Sequence, residues 1–301
     1  MTKLANGLAA LCIALAFAPA GAGAESLGPT LQKIKDAGTI TIGNRDSSVP
    51  FSYLDAEQKP IGFSLELCDL VVAKVKAKLG MPALKVAYQA VNSSNRIPLV
   101  KNGTVDIECG STANTIARQQ EVAYSVIFYA PQFKWISLKS SGLKTTDDLK
   151  GKTVAVTQGT NTSQFVAKLN TDKGLGMKIL QGKDHAESFL LVETGRAAAF
   201  MEDDILLAGL KATATSPDNF AFLSDAFPSD PYGVMMGKGD PEFKQLVDGA
   251  LTEAMKSGLY DKLYTKWFES PIPPKNINLN FPQSEKLREL VKNPSDKAIG
   301  Q

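Results

Sequence analysis

Two stretches far apart in the chain share one layout, and that echo limits the fold more than any other feature. "PLVKNGTVDIECGSTAN" (98–114) and "LLVETGRAAAFMEDD" (190–204) each carry a Leu-Val helix end and a glycine four residues after the leucine. Each then continues as a strand of about five residues and ends in polar side chains. Glycine suits the left-handed position just past a helix, where the chain reverses. A second parallel joins "GTITIGNRDSS" (38–48) to "GKTVAVTQGTNTS" (151–163), both running from a β-branched strand into a polar loop. Strands alternating with helices are the pattern of an α/β protein, and the doubling predicts two α/β lobes. A chain of 301 residues has room for two such cores. Ligands of open α/β sheets bind beyond the carboxyl ends of the strands. Those ends deliver Arg45, Ser111–Thr112, the loop "QGTNTS" (158–163) and Asp203 to one shared cleft.

Around these strands the helices are periodic. "SLELCDLVVAKVKAKLG" places Leu65, Cys68, Val71–Val72, Val75 and Leu79 on one face and stops at Gly80. "DPEFKQLVDGALTEAMKSG" is an amphipathic helix with a stripe of Phe243, Leu246–Val247, Ala250–Leu251 and Ala254–Met255. A following stripe of Tyr260, Leu263–Tyr264 and Trp267 reads as core rather than as an aromatic binding surface, and prolines end it.

The first 24 residues read differently: Lys3, an apolar run from Leu8 to Ala18, and Ala22-Gly23-Ala24 before Glu25 form a secretory signal peptide. The run is short for a membrane span, so the expected product is a soluble exported protein. The mature chain is nearly neutral and lacks any basic run, which argues against a nucleic-acid partner. It keeps Cys68 and Cys109, a candidate disulfide in an oxidising compartment or else a pair of buried thiols.

Two arginines stand where helix chemistry disfavours them. Arg118 follows "GSTAN" in an expected first turn, and Arg96 follows Ser93 and Ser94, both good N-caps, in another. The macrodipole puts partial positive charge at that end. Each alone reads as a solvated side chain. Together, beside hydroxyl-rich strand ends, they suit a carboxylate or phosphate. His185 is the only histidine, so it makes no metal cluster, and no metal or cofactor is expected. Glu202, Asp203 and Asp204 resemble a cation site, but strand alternation separates neighbours. A lone Asp203 for a ligand ammonium is the simpler reading. Ser141 to Lys144 matches S-x-x-K by chance, without its companion motifs.

The segments "RDSSVPFSY" (45–53), "SSNRIPLVKNGTVDIECGST" (93–112), "GKDHAESF" (182–189), "GRAAAFMEDDILLAG" (195–209) and "KWFESPIPPKNINLNF" (266–281) resemble, in order, the family 3 extracellular solute-binding proteins. The likeness is to the branch that binds glutamate and aspartate for ABC transporters. It implies the two-lobed α/β periplasmic-binding-protein fold (type II), with two crossover strands as hinge. Lobe 1 would span residues 26–132 plus 236–280 and lobe 2 residues 133–235, with the tail 281–301 packing on the lobes. It implies that Arg118, Ser111 and neighbouring hydroxyls such as Thr112 hold an α-carboxylate and that Asp203 takes the α-ammonium. Arg45, Ser93, Arg96 and His185 would surround the side-chain carboxylate. Two departures stand out: Ala113 replaces a second threonine after "GST", and the lobe 2 loop reads Gly159-Thr160-Asn161-Thr162 instead of Gly-Thr-Thr. The loop's hydrogen bonding is then expected to pass through the Asn161 amide or to shift to Thr162. Three arginines against one aspartate give the expected cleft a net charge of +2, with neutral His185 as a switchable donor.

The expected cycle is closure of one lobe over ligand held on the other, followed by docking of the monomer on an ABC permease. A periplasmic dehydratase-like enzyme on the same scaffold is the alternative, and its acid or base would be His185 or Asp203. A sensory module would need a separate signalling partner.

Overall fold

The computed structural model describes residues 1–2 and 27–298. The predicted leader, its cleavage site and the start at Glu25 lie outside the described residues, apart from the first two positions.

Two five-stranded sheets follow one plan. The first is ordered β5 (Lys85–Ala90), β1 (Thr39–Asn44), β6 (Ile107–Glu108), β13 (Met235–Met236) and β7 (Ala123–Tyr124). The second is β10 (Lys178–Gly182), β9 (Thr153–Thr157), β11 (Ala199–Asp203), β8 (Gln132–Leu138) and β12 (Phe220–Pro228). In each, one strand lies between two parallel neighbours: β5 and β6 flank β1, and β10 and β11 flank β9. An antiparallel strand comes next, β13 in the first sheet and β8 in the second. The chain passes between sheets twice, through residues 125–131 and 229–234, where Tyr129 and Tyr232 form an antiparallel bridge.

Helices cover the sheets. The first set is α1 (Pro29–Ala37), α2 (Phe63–Leu79), α3 (Arg96–Lys101) and α4 (Ile116–Gln119). The second is α5 (Asn161–Asp172), α6 (His185–Glu193) and α7 (Asp204–Thr213), and then α8 (Pro241–Lys256) and α9 (Leu259–Phe268) return to the first sheet's core. Short strands β2 (Ser47–Ser48), β3 (Ser52–Leu54) and β4 (Pro60–Ile61) follow β1, and β14 (Pro271–Ile272) pairs with β15 (Ile277–Asn278) before α10 (Glu285–Lys292). Gly80 ends α2 at φ 64°, a left-handed turn that a Cβ would disfavour.

The α9 stripe is core. Phe63 packs edge-on against Tyr260 at 5.4 Å, Tyr264 stacks on Phe268 at 4.1 Å, and Phe51 meets Tyr129 and Tyr232. Burying each such ring contributes on the order of 1.5–3 kcal/mol. In the second sheet, Val154 and Val156 of β9 join one cluster while Ala155 joins another, so both faces are covered. Cys68 on α2 and Cys109 beyond β6 form a disulfide, which decides between the two cysteine readings. Closing that loop contributes about 4 kcal/mol on the chain-entropy account.

Local expectations fail in three places. The strand expected over 105–110 is regular only at Ile107 and Glu108, with the Asp106 and Cys109 amides still donating to Thr41 O and Gly43 O of β1. The N-cap of α3 is Asn95, not Ser93 or Ser94, and the Asn92 side chain accepts from the Ser94 and Asn95 amides instead. An Asx turn upstream therefore replaces a serine cap. Helix α4 is a single turn, so Arg118 stands in its last turn as much as its first, and so short a helix has little macrodipole to oppose a cation.

The tail lies on the first half of the molecule: the Ile127 amide donates to Ser295 O at 2.8 Å, and Asn114 and Gln119 donate to Asp296 O. Among the described residues no helix is long and apolar enough to cross a membrane.

Candidate functional site

Side chains that leave the first sheet carry guanidinium groups held by neutral acceptors. Arg45, one residue past β1, is buried; its amide donates to Ser52 Oγ at 2.9 Å and its Nη2 to Ser93 Oγ at 3.0 Å. Arg96, the first residue of α3, is also buried and donates through Nη1 to Thr112 Oγ1 at 2.6 Å. That hydroxyl in turn donates to Glu108 Oε2 at 2.6 Å. Arg118 is fixed at its amide by the Thr115 cap, and its Nη1 donates to Ala113 O at 3.0 Å. Ser111 is buried with its Oγ unpartnered.

The second sheet presents acids and a ring. His185 opens α6 after the Asp184 cap, and its Nδ1 lies 3.1 Å from Thr157 Oγ1 and 3.4 Å from Glu202 Oε2. Glu202 Oε1 accepts from Thr162 Oγ1 at 2.8 Å and from the Asp203 amide at 3.1 Å. Asp203 accepts from Ser229 Oγ at 2.6 Å on one oxygen and from the Tyr232 hydroxyl on the other. Asn161, first in α5, donates to Asp230 at 3.0 Å. As alternation requires, Glu202, Asp203 and Asp204 have separate partners; Asp204 accepts from the Gln132 and Ile205 amides.

Contacts cross between the two halves. Arg45 Nη2 lies 3.3 Å from His185 Nε2, and Arg118 Nη2 donates to Gly159 O at 3.2 Å. Gly159 sits at φ 76°, and a Cβ there would fall 2.8 Å from Ser93 backbone atoms. Outside this contact a groove of about 880 Å³ runs past Ile97, Lys101, Arg118, Gln158 and Gln164, the mouth of the cleft.

Burial and the neighbouring Arg96 charge push Arg45 down to about 10, still a cation at neutral pH. The same two causes lower Arg118, although solvent reaches part of its side chain. Burial also lowers His185, against the pull of Glu202. For Glu202, burial acts upward, but His185 and the hydrogen bonds from Thr162 and the Asp203 amide outweigh it and hold it below the usual range. Asp203 is raised well above that range, first by burial and then by Glu202.

These groups revise the charge count of the cleft. Glu108 and Glu202 add two buried carboxyls that the net +2 left out. Arginine has donors only, so in the neutral ring His185 Nε2 faces Arg45 as an acceptor, and it can donate only after taking up a proton. Thr112 Oγ1 accepts from Arg96 and gives its one proton to Glu108, so it has none to offer a ligand anion. Buried atoms without a hydrogen-bond partner gather here: Arg45 Nη1, Arg96 Nε, Glu108 Oε1 and Ser111 Oγ. Such atoms are rare in native interiors and mark a place for polar company.

Of the expected site residues, contacts join Arg45 to Ser93 and His185, Arg96 to Thr112, and Arg118 to the Gly159 loop that leads into Asn161; Ser111 makes no side-chain hydrogen bond, and the Asp203 carboxyl meets Ser229 and Tyr232 instead. Sequence reading missed Glu108, Thr157, Ser229, Asp230 and Tyr232, and set Glu202 aside. An acidic residue inside the apolar run "VDIEC" was the available signal for Glu108; "SDPY" (229–232) offered none.

The sequence pattern of the bacterial extracellular solute-binding proteins, family 3, matches residues 40–270. An L-glutamate/L-aspartate-binding protein of Pseudomonas aeruginosa is 48% identical over 300 residues, covering 99% of both chains. A glutamate/aspartate import solute-binding protein of Salmonella typhimurium is 44% identical, again over 99% of each. Among solved structures, an ancestral arginine-binding protein bound to arginine is 28% identical with a TM-score of 0.68, covering 77% of this chain and 98% of its own.

Proposed function

The chain belongs to the bacterial extracellular solute-binding proteins, family 3, and on that premise we propose that it captures L-glutamate and L-aspartate outside the cytoplasm for an ABC-type permease. The observation that carries the reading is the contact of Arg45 with His185 across the two halves, beside the buried Arg96 and with Arg45 Nη1, Arg96 Nε and Ser111 Oγ left without a partner. In this reading Arg118 and Ser111 hold the α-carboxylate beside Thr112, and Asp203 takes the ammonium. Arg45, Ser93, Arg96 and His185 surround the second carboxylate, and Asn161 contributes its amide from the second lobe. The lobes, 26–132 plus 236–280 and 133–235, close over the ligand about the two passages at 125–131 and 229–234. Sheet membership supports that division except at its edges, where Gln132 begins β8 of the second sheet and Met235 begins β13 of the first.

A protein of related fold is named for arginine, so the fold leaves the ligand open and the side chains of the cleft select it. Glutamine would leave one guanidinium pair without its anion, which disfavours amides. The relatives named above are binding and import proteins, and capture requires no bond to form or break. Export by the leader at 1–24, a monomeric state and a permease partner complete the proposal.

Thermal unfolding of the mature protein against the twenty amino acids tests it, because a ligand stabilises the fold it binds by mass action. Glutamate and aspartate raise the melting temperature and glutamine does so far less. Equal shifts for all, or none for the acidic pair, refute the reading.

A further inference from the structure

The His185 ring is caught between a donor and a carboxyl. On one side Arg45 Nη2 approaches Nε2 at 3.3 Å, and on the other Thr157 Oγ1 and Glu202 Oε2 face Nδ1 at 3.1 and 3.4 Å. Because Arg45 can only donate, the proton of a neutral ring sits on Nδ1. Thr157 accepts it and passes its own hydroxyl to Ser188 Oγ at 2.9 Å, whose hydroxyl ends on Asp184 O. Glu202 needs none of this: two donors, Thr162 Oγ1 and the Asp203 amide, already hold its Oε1, while Oε2 stands beside the ring without hydrogen-bond alignment.

A second protonation would set Nε2–H against the Arg45 N–H, donor to donor. An acidic side chain arriving between them removes that conflict: its carboxylate accepts from Arg45 and from Nε2–H together. The new imidazolium charge would then lie beside a buried carboxyl already in place.

We propose that Glu202 is a positioning residue that acts through His185, supplying the counter-charge with which the ring takes up one proton as an acidic amino acid binds. The inference rests on the reading that the cleft takes glutamate or aspartate. The other charged groups near the ring are Arg96, which with Arg45 opposes protonation, and Asp184, the cap of its own helix. Asp203 also titrates in the cleft, but it meets the α-ammonium that glutamate and glutamine share. The difference between those two ligands therefore isolates the side-chain pocket.

Two measurements decide the matter. The protein has one histidine, so its imidazole ¹⁵N resonances are unambiguous. In the unliganded protein they report the Nδ1–H tautomer; with glutamate at pH 7 both nitrogens carry protons, and in Glu202→Gln with glutamate the ring stays neutral. The titration midpoint of the unliganded ring is lower in Glu202→Gln than in the native protein. By calorimetry, glutamate affinity rises as pH falls from 8 to 6, approaching the limit of roughly tenfold per unit for one proton. The glutamine slope is flatter, and Glu202→Gln removes the difference.

Equal slopes for the two ligands in the native protein overturn the proposal, and so does an imidazole midpoint that Glu202→Gln leaves unmoved. Should Glu202→Gln not fold, the native slopes and ring protonation still decide. Absence of acidic amino-acid binding at every pH refutes the functional reading instead, and the midpoint comparison then judges Glu202 alone.

Discussion

Beyond the first sheet the strand ends carry guanidinium groups; beyond the second they carry carboxyls and an imidazole. Arg45, Arg96 and Arg118 each rest on a neutral oxygen, from Ser93, Thr112 and Ala113. Neutral acceptors orient a cation without cancelling its charge, and buried Glu108, reached from Arg96 through Thr112, offsets only part of the charge of three guanidinium groups, so that wall suits an anion. Glu202 and Asp203 are instead embedded in hydroxyl and amide donors. The second wall thus offers acceptors that gain most from an ammonium. Two walls of one architecture divide recognition by sign, and only a guest with both signs satisfies them together.

The sharpest way to break that contrast is Arg96→Ala on the first wall. It leaves the Thr112–Glu108 pair facing the cleft without its cation, and glutamate binding weakens by about 2–5 kcal/mol. Glutamine loses less, so the gap between the two narrows. Calorimetry with both ligands checks this, and unchanged selectivity removes Arg96 from the side-chain pocket.

Asp203→Asn tests the second wall. Losing a charged partner for the ammonium costs about 1.5–3 kcal/mol of affinity, equally for glutamate and glutamine. The variant also has a pH signature without ligand. A raised folded-state pKa means that Asp203 contributes fully below the ordinary aspartate range, and that the contribution is lost as pH rises through the raised value. Asparagine suffers no such loss, so the melting temperature of the variant gains on the native protein from pH 5 to 8. A constant difference contradicts the shift.

Gly159→Ala probes the contact between the walls. At φ 76° and 2.8 Å from the Ser93 backbone, a methyl group both strains the loop and props the lobes apart. The strain alone is about 1–2 kcal/mol. Ligand affinity falls by about tenfold, while hydrogen exchange inside each sheet stays as it was.

Much of the frame was legible in the chain. The stripes of α2, α8 and α9 follow helical spacing closely enough that their faces were readable before any packing was known. Arg45 and Asp203 were placed by strand-end logic, which depends only on where a strand stops. Glu108 was not placed, because a carboxyl in a two-residue strand looks solvent-facing until Thr112 and Arg96 close over it. Helix α4 misled for a related reason: its dipole was inferred from sequence, but its length was set by the Thr115 cap and the chain's turn into β7.

Local periodicity and residue chemistry by themselves determined two α/β units, their helices and the strand ends from which charged groups emerge, since each depends on neighbours a few positions away. Tertiary structure alone decided which hydroxyl holds which guanidinium, that Glu202 stands behind His185, and that Arg45 meets that ring across the cleft. Those pairings join residues up to 140 positions apart, and such separations are set by the register of two sheets and the docking of their faces, to which no single segment holds the key.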